Sequence, residues 1–122
     1  MATYLAAFLV ILACNTLNIQ ERFYISFERS GGFSGIANAI TIDGNTLDPE
    51  EKENLLKMID DAGFFELKSD ETDALSTPDQ FSYKITIAIK SEEETIYIRD
   101  SAVTDSLRPL INYLSRKARN NR

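Results

Sequence analysis

The sequence predicts a single α+β domain in which a four-stranded antiparallel sheet carries two helices on one face, in the order ββαββα. Two segments, 22–28 and 81–90, alternate between apolar and polar residues, which is typical of strands with one packed and one wet face. Two further segments, one beginning near Asp48 and one near Asp105 or Ser106, space their apolar residues as an amphipathic helix does. Packing both helices on the same face of the sheet buries every apolar stripe.

The first two strands are predicted to form a hairpin. The first strand runs from Arg22 to Glu28, and its inward residues are Phe23, Ile25 and Phe27. The second strand runs from about Ile36 to Ile42, because isoleucines recur there with one parity. The residues between them, 29–35, form the predicted hairpin loop.

The first helix has clear start and stop signals. Asp48 can cap it, Pro49 suits the first helical position, and Glu51 is placed to close a capping box. Gly63 is predicted to end the helix in the left-handed conformation. The buried stripe consists of Leu55, Met58, Ile59 and Ala62. The residues that follow it and are expected in the core are Phe64, Phe65 and Leu67.

The second half of the chain begins with a predicted loop of thirteen residues, Lys68 to Gln80. A third strand over 81–90 turns at 91–93 into a fourth strand over 95–99. The last helix has a buried stripe of Leu107, Leu110, Ile111 and Leu114. The predicted solvent-facing side of the sheet carries Tyr24, Ser26, Lys84, Thr86, Tyr97 and Arg99.

Composition narrows the function classes. The 122 residues have a net charge of −6, which argues against a nucleic-acid partner because phosphates require a basic footprint. The chain contains no His and one Cys, Cys14, so the commonest general base, zinc ligand and disulfide are all missing. No calcium loop or phosphate-binding Gly motif is present. We therefore expect a protein that is not an enzyme and has no cofactor and no metal. We also expect it to be a monomer.

Residues 1–21 are predicted to be an apolar leader, separate from a domain over 22–122. The run from Tyr4 to Ala13 is too short to span a bilayer and has the length of a secretory signal core. Ile11-Leu12-Ala13-Cys14 resembles a bacterial lipobox, in which Cys14 would be lipidated and anchor the protein to a membrane. The alternative is a buried strand or helix. A signal would place the protein in the cell envelope or outside the cell; otherwise it is cytoplasmic.

The predicted hairpin loop is rich in glycine. Three glycines surround one large aromatic residue in the stretch Arg29, Ser30, Gly31, Gly32, Phe33, Ser34 and Gly35. A hairpin tip needs only two residues with special backbone conformations, so this loop is more flexible than a turn requires. Loops on rigid scaffolds often bind partners. The alternative is a slightly long structural loop whose Phe33 folds back on the core.

Several blocks of the chain together resemble the emfourin (protealysin inhibitor) family. The first block is the stretch from Glu28 to Ile36, and the others agree in order and spacing: Leu47 to Glu51, Ala62 to Phe65, Pro78 to Tyr83, and Ser106 to Leu110. The resemblance covers roughly Phe23 to Arg119. It implies a protein inhibitor of thermolysin-like zinc metallopeptidases, which accept bulky apolar side chains beside the scissile bond.

Our hypothesis on this resemblance is that the Gly-rich loop occludes the catalytic cleft of the peptidase. Phe33 would fill the apolar pocket, and the approach to the third strand, Pro78, Asp79 and Gln80, is a second candidate contact. An alternative of another class is a cell-envelope lipoprotein module that binds a partner unrelated to proteolysis. A third is a structural loop in a domain that belongs to a larger assembly.

Overall fold

The computed structural model describes residues 21–31, 38–68 and 80–121, and it confirms the predicted α+β fold and its ββαββα order. The strands are β1 (Phe23–Gly31), β2 (Asn38–Asp43), β3 (Phe81–Ile89) and β4 (Glu92–Arg99). The helices are α1 (Pro49–Ala62) and α2 (Arg108–Asn120). Short 3-10 turns occupy Gly44–Thr46, Phe64–Glu66 and Asp100–Ala102. The predicted leader and most of the predicted long loop lie outside the described residues.

One antiparallel sheet with the strand order β2-β1-β3-β4 forms the frame. Its inward side chains pack under both helices, because the odd-numbered residues of β1 and β3 all point to one face. The largest fully buried side chains are Phe27, Phe64, Ile25, Leu55, Ile85, Ile87, Ile96, Leu107, Leu110, Ile111 and Leu114. These residues come from one face of β1, β3 and β4, from both helices and from the turns beside the helices, so the core is a single layer between sheet and helices.

Helix α1 begins and ends where the sequence predicts, but its capping differs. Gly63 ends it in the left-handed conformation with φ 60°, as expected. At the other end Asp48 makes no side-chain capping hydrogen bond, so the predicted capping box is wrong. The carboxylate of Glu51 instead accepts a hydrogen bond from the Tyr113 hydroxyl at 2.7 Å and pairs with the Lys117 ammonium at 2.6 Å. The first turn of α1 faces α2, so the Glu51 carboxylate binds Lys117 and Tyr113 of α2 and does not cap its own helix.

Other boundaries shift by two or three residues. Strand β1 extends to Gly31, so Arg29, Ser30 and Gly31 lie in the sheet and not in the predicted loop. The β3–β4 turn is Lys90-Ser91, with Lys90 at φ 56°, and β4 already begins at Glu92. Tight turns with positive φ usually contain Gly, Asn or Asp, so a lysine at this position does not indicate one in the sequence.

Helix α2 begins at Arg108, two or three residues later than predicted. Residues 105–107 form a turn, because the Thr104 carbonyl and hydroxyl oxygens both accept hydrogen bonds from the Leu107 backbone N–H. Two residues of the predicted core, Phe65 and Leu67, are only partly buried against it, whereas Phe64 is fully buried. Among the described residues no helix is long and apolar enough to cross a membrane.

The core predicts the cost of truncating α1. Leu55→Ala should lower the free energy of unfolding by about 2–5 kcal/mol, because the Leu55 side chain is fully buried and its loss leaves a cavity. Glu53→Ala on the exposed side of the same helix is the control and should change it by less than about 0.5 kcal/mol. Urea unfolding followed by circular dichroism measures both, and equal effects would contradict the assigned packing.

Candidate functional site

The candidate partner-binding residues converge at one end of the sheet. Gly31, the last residue of β1, is the cross-strand partner of Phe81, the first residue of β3. Gly32 follows Gly31, and Gln80 precedes Phe81. The two candidate segments, 29–35 and 78–80, therefore join the sheet at adjacent positions. We call this region, residues 29–31 and 80–83, the loop end of the sheet.

The structure describes four of the candidate residues: Arg29, Ser30, Gly31 and Gln80. The other candidates lie outside the described residues: Gly32, Phe33, Ser34, Gly35, Pro78, Asp79 and Cys14. The side chain of Gln80 accepts a hydrogen bond from the Ser101 hydroxyl at 3.2 Å, which connects it to the 3-10 turn after β4.

Gly31 cannot be replaced without strain, for two separate reasons. Its φ of +104° is a conformation that side-chain-bearing residues rarely adopt. A Cβ placed on Gly31 would also overlap the backbone carbonyl oxygen of Gln80. The two chain segments therefore approach each other at backbone distance, which only glycine permits.

Arg29 lies beside this pair on the helix-covered face of the sheet. Its guanidinium carbon is 3.7 Å from the centroid of the Phe81 ring, a close cation–π contact. The Nε atom of Arg29 is buried and has no hydrogen-bond partner among the described residues. The contact ties the end of β1 to the start of β3 through side chains as well as backbone.

A network of polar side chains stabilises the loop end of the sheet. The Tyr83 hydroxyl donates a 2.7 Å hydrogen bond to the Asp100 carboxylate. Arg108 donates to the same carboxylate oxygen at 2.7 Å and to the Asp100 backbone carbonyl at 3.0 Å. Tyr83 also stacks on Phe27, with ring centroids 5.9 Å apart. The network joins β3, the 3-10 turn at 100–102 and the start of α2.

The network shifts the acidity of its members. The hydrogen bonds from Arg108 and then from Tyr83 hold the pKa of the Asp100 carboxyl below its usual value. Burial, followed by the hydrogen bond to the Asp100 carboxylate, raises the pKa of the Tyr83 hydroxyl to about 12. At neutral pH the pair is therefore a neutral phenol donating to an ionised carboxylate. This hydrogen bond stabilises the loop end of the sheet, and neither group changes its protonation state near neutral pH.

Sequence reasoning did not identify this network, although one signal for it was present. Tyr83 has the inward parity of β3, and a hydroxyl on an inward face needs a polar partner. Its partner, Asp100, lies 17 residues further along the chain. The distance in sequence is why the pair could not be assigned in advance.

The open face of the sheet borders the loop end. Tyr97 is 45% exposed there, and the Lys84 ammonium lies 5.7 Å from its ring centroid. A shallow cavity of about 100 Å³ lies beside them, lined also by Glu28, Ser30 and Ser82. No group of three or more His, Cys, Asp or Glu residues that could hold a metal ion occurs within residues 21–31, 38–68 and 80–121.

These features define a small α+β domain. Its sheet brings two candidate binding segments together at the loop end, which the network of Tyr83, Asp100 and Arg108 stabilises. A model of the Emfourin family matches residues 27–115, and the chain belongs to that family. No curated protein matches the sequence. Among solved structures, the chain is similar to emfourin (M4in) from Serratia proteamaculans, an M4 family peptidase inhibitor. The identity is 21%, the match covers 73% of this chain and 85% of that chain, and the TM-score is 0.43.

Substitution of Gly31 tests the close approach at the loop end. Gly31→Ala should lower the free energy of unfolding by about 1–3 kcal/mol, because the new side chain meets both the positive φ and the Gln80 carbonyl. Ser30→Ala, at the neighbouring half-exposed position, should cost less than about 0.5 kcal/mol. Chemical denaturation of the two variants gives the comparison, and a harmless Gly31→Ala would refute the described geometry.

Substitution of Asp100 tests the network through its pH dependence. Because the pKa of Asp100 is lowered in the folded state, its contribution to stability is present above about pH 4 and is lost as the pH falls further. Asp100→Asn should cost about 1 kcal/mol at pH 7, since the partly exposed pair is screened by solvent. The difference from wild type should shrink as the pH falls below about 4, the ordinary pKa of an aspartate.

Asp105→Asn is the control for that experiment, because it removes the same charge from an exposed position nearby. Urea unfolding at a series of pH values measures both variants. A cost for Asp100→Asn that does not depend on pH would show that the carboxylate charge does not stabilise the network.

Proposed function

We propose that the protein is a proteinaceous inhibitor of a thermolysin-like zinc metallopeptidase and is not itself an enzyme. The observation that carries the proposal is the match of the Emfourin family model to residues 27–115, which include both candidate segments. The emfourin of Serratia proteamaculans is an M4 family peptidase inhibitor, and we transfer that activity to this chain as part of the proposal. Inhibition by a bound protein requires no catalytic group, which agrees with a chain that contains no His.

We propose occlusion of the catalytic cleft as the mechanism. Residues 31–35 would enter the cleft with Phe33 in an apolar pocket beside the catalytic centre, and 78–80 would contact the rim. The pairing of Gly31 with Phe81 supports this division, because it joins both segments to the sheet at the same end. One cleft could then receive both segments without any rearrangement of the sheet.

The supports beneath the loop end favour tight binding by such a mechanism. A loop held by a rigid base loses less conformational entropy on binding than a flexible one. The cation–π contact of Arg29 with Phe81 and the hydrogen bonds of Asp100 supply such a base. In this proposal Arg29 positions the loop by stacking on Phe81, and Phe33 supplies the apolar contact with the peptidase.

Titration of the purified protein into a thermolysin-like peptidase tests the proposal. The first choice of target is a peptidase of this class from the organism that encodes the protein. We expect saturable, stoichiometric loss of peptidase activity that persists when zinc is added in excess over the inhibitor, which excludes chelation. Failure of the folded protein to inhibit several such peptidases would overturn the proposal and favour the envelope-binding alternative.

The role of Phe33 can be measured separately from the fold. Phe33→Ala should weaken inhibition by about 2 kcal/mol, or about thirtyfold in the inhibition constant, if the ring is the buried anchor of the interface. Tyr24→Ala is the control, since Tyr24 is an aromatic residue that is 48% exposed near the opposite end of β1. Equal inhibition constants for Phe33→Ala and wild type, with both proteins folded, would remove Phe33 from the mechanism.

A further inference from the structure

The two outer strands of the described sheet are protected very differently. Strand β4 begins with three consecutive carboxylates, Glu92, Glu93 and Glu94, and ends with Arg99. Strand β2 carries one charged residue, Asp43 at its end, and none from Asn38 to Ile42. Natural proteins protect edge strands with charges, prolines or bulges, because an unprotected edge can pair with another chain. By this criterion β4 is protected and β2 is not.

A groove lies along the unprotected strand. It has a volume of about 310 Å³ and lies between β2 and the last turn of α2, where Lys117 and Asn120 line it. On the strand side its walls include Ile40 and Leu47, which are apolar and only partly buried. Polar residues line the rest of the groove, and they include Asp43 and Lys117. Extended peptides bind exposed sheet edges by strand addition, in which backbone hydrogen bonds give affinity and neighbouring pockets receive alternate side chains.

The position of β2 indicates which partner would use this edge. Strand β2 begins at Asn38, opposite Arg29 of β1, and its start is three residues beyond the candidate segment 31–35. A protein that engages this segment would therefore reach the start of β2 as well. A second copy of the chain is a weaker occupant, since each copy carries a net charge of −6 and two copies repel each other.

We propose that the outer edge of β2, residues 39–43, pairs with an extended segment of the target peptidase as a fifth strand of the sheet. The inference rests on the proposed function and adds a second contact to the cleft-occluding loop. Backbone hydrogen bonds would supply this contact, and apolar side chains of the peptidase segment would pack on Ile40 and Leu47. Such a contact depends on backbone shape more than on peptidase sequence, so it would serve several related targets.

Hydrogen exchange of the inhibitor, free and bound to a thermolysin-like peptidase, tests the pairing directly. We expect backbone amides within 39–43 that point away from β1 to exchange about tenfold more slowly in the complex, or slower still. Amides of β4, at the opposite edge, are the internal control and should not change. Unchanged exchange over 39–43 in a complex that forms would overturn the inference. Protection already complete in the free protein would show that its own chain covers the edge, which also overturns it.

A matched pair of variants tests the same contact through inhibition. Thr41→Lys places a charge next to the outer edge, on the exposed face, and should raise the inhibition constant about tenfold through the loss of one or two backbone hydrogen bonds. Ser26→Lys is the control, because Ser26 is the cross-strand partner of Thr41 on the same face but lies in the inner strand β1. It should leave the inhibition constant unchanged.

The outcomes separate this inference from the function on which it rests. Absence of inhibition by the wild-type protein would remove the proposed function, and the pairing with it. Full inhibition by both lysine variants would overturn the edge contact and leave the inhibitor proposal intact. A wild-type dimer in light scattering that Thr41→Lys converts to a monomer would assign the edge to a second copy and overturn the inference.

Discussion

The pairing of Gly31 with Phe81 is the constraint on which the rest of the candidate site depends. It brings the end of β1 and the start of β3 to backbone contact, so close that the carbonyl of Gln80 occupies the space a side chain on Gly31 would need. This single contact determines that two segments far apart in sequence leave the sheet side by side. A bulkier residue would force the strands apart at the position where the proposed interface begins.

The surrounding residues stiffen that contact by different means. Arg29 stacks on Phe81 above the sheet's helix-covered face, and Tyr83 anchors the same strand to Asp100 one step further in. Because Asp100 also holds Arg108, the base of the site is connected to the first turn of α2. A partner bound at this end would therefore act on a braced part of the fold, which favours affinity through preorganisation.

Much of this architecture follows from local patterns in the sequence. The alternation in β1 and β3, the left-handed Gly63 and the apolar stripe of α2 each have a local physical cause, and the structure confirms them. The failures concern interactions between distant residues. Glu51 was assigned to a local cap, yet its partners Tyr113 and Lys117 are on α2. The extension of β1 through Gly31 depends on the pairing of Gly31 with Phe81 of β3. That strand is distant in sequence, so the residues around the hairpin do not predict the extension.

The candidate site also consists of residues that local sequence patterns indicate and residues that they do not. The residues of the Gly-rich segment could be selected from the sequence, since three glycines around one aromatic residue are unusual for a turn. The network of Tyr83, Asp100 and Arg108 could not, because its members come from three separate elements. The difference in protection between β2 and β4 also needed the strand order, which decides which strands are outermost.

A crystal structure of the protein bound to a thermolysin-like peptidase would test the central claim most directly. The account predicts that residues 31–35 lie in the catalytic cleft, with 78–80 at its rim and the frame of β1 and β3 unchanged behind them. A complex in which the peptidase contacts the helices or the β3–β4 turn, and leaves the loop end of the sheet exposed, would contradict it.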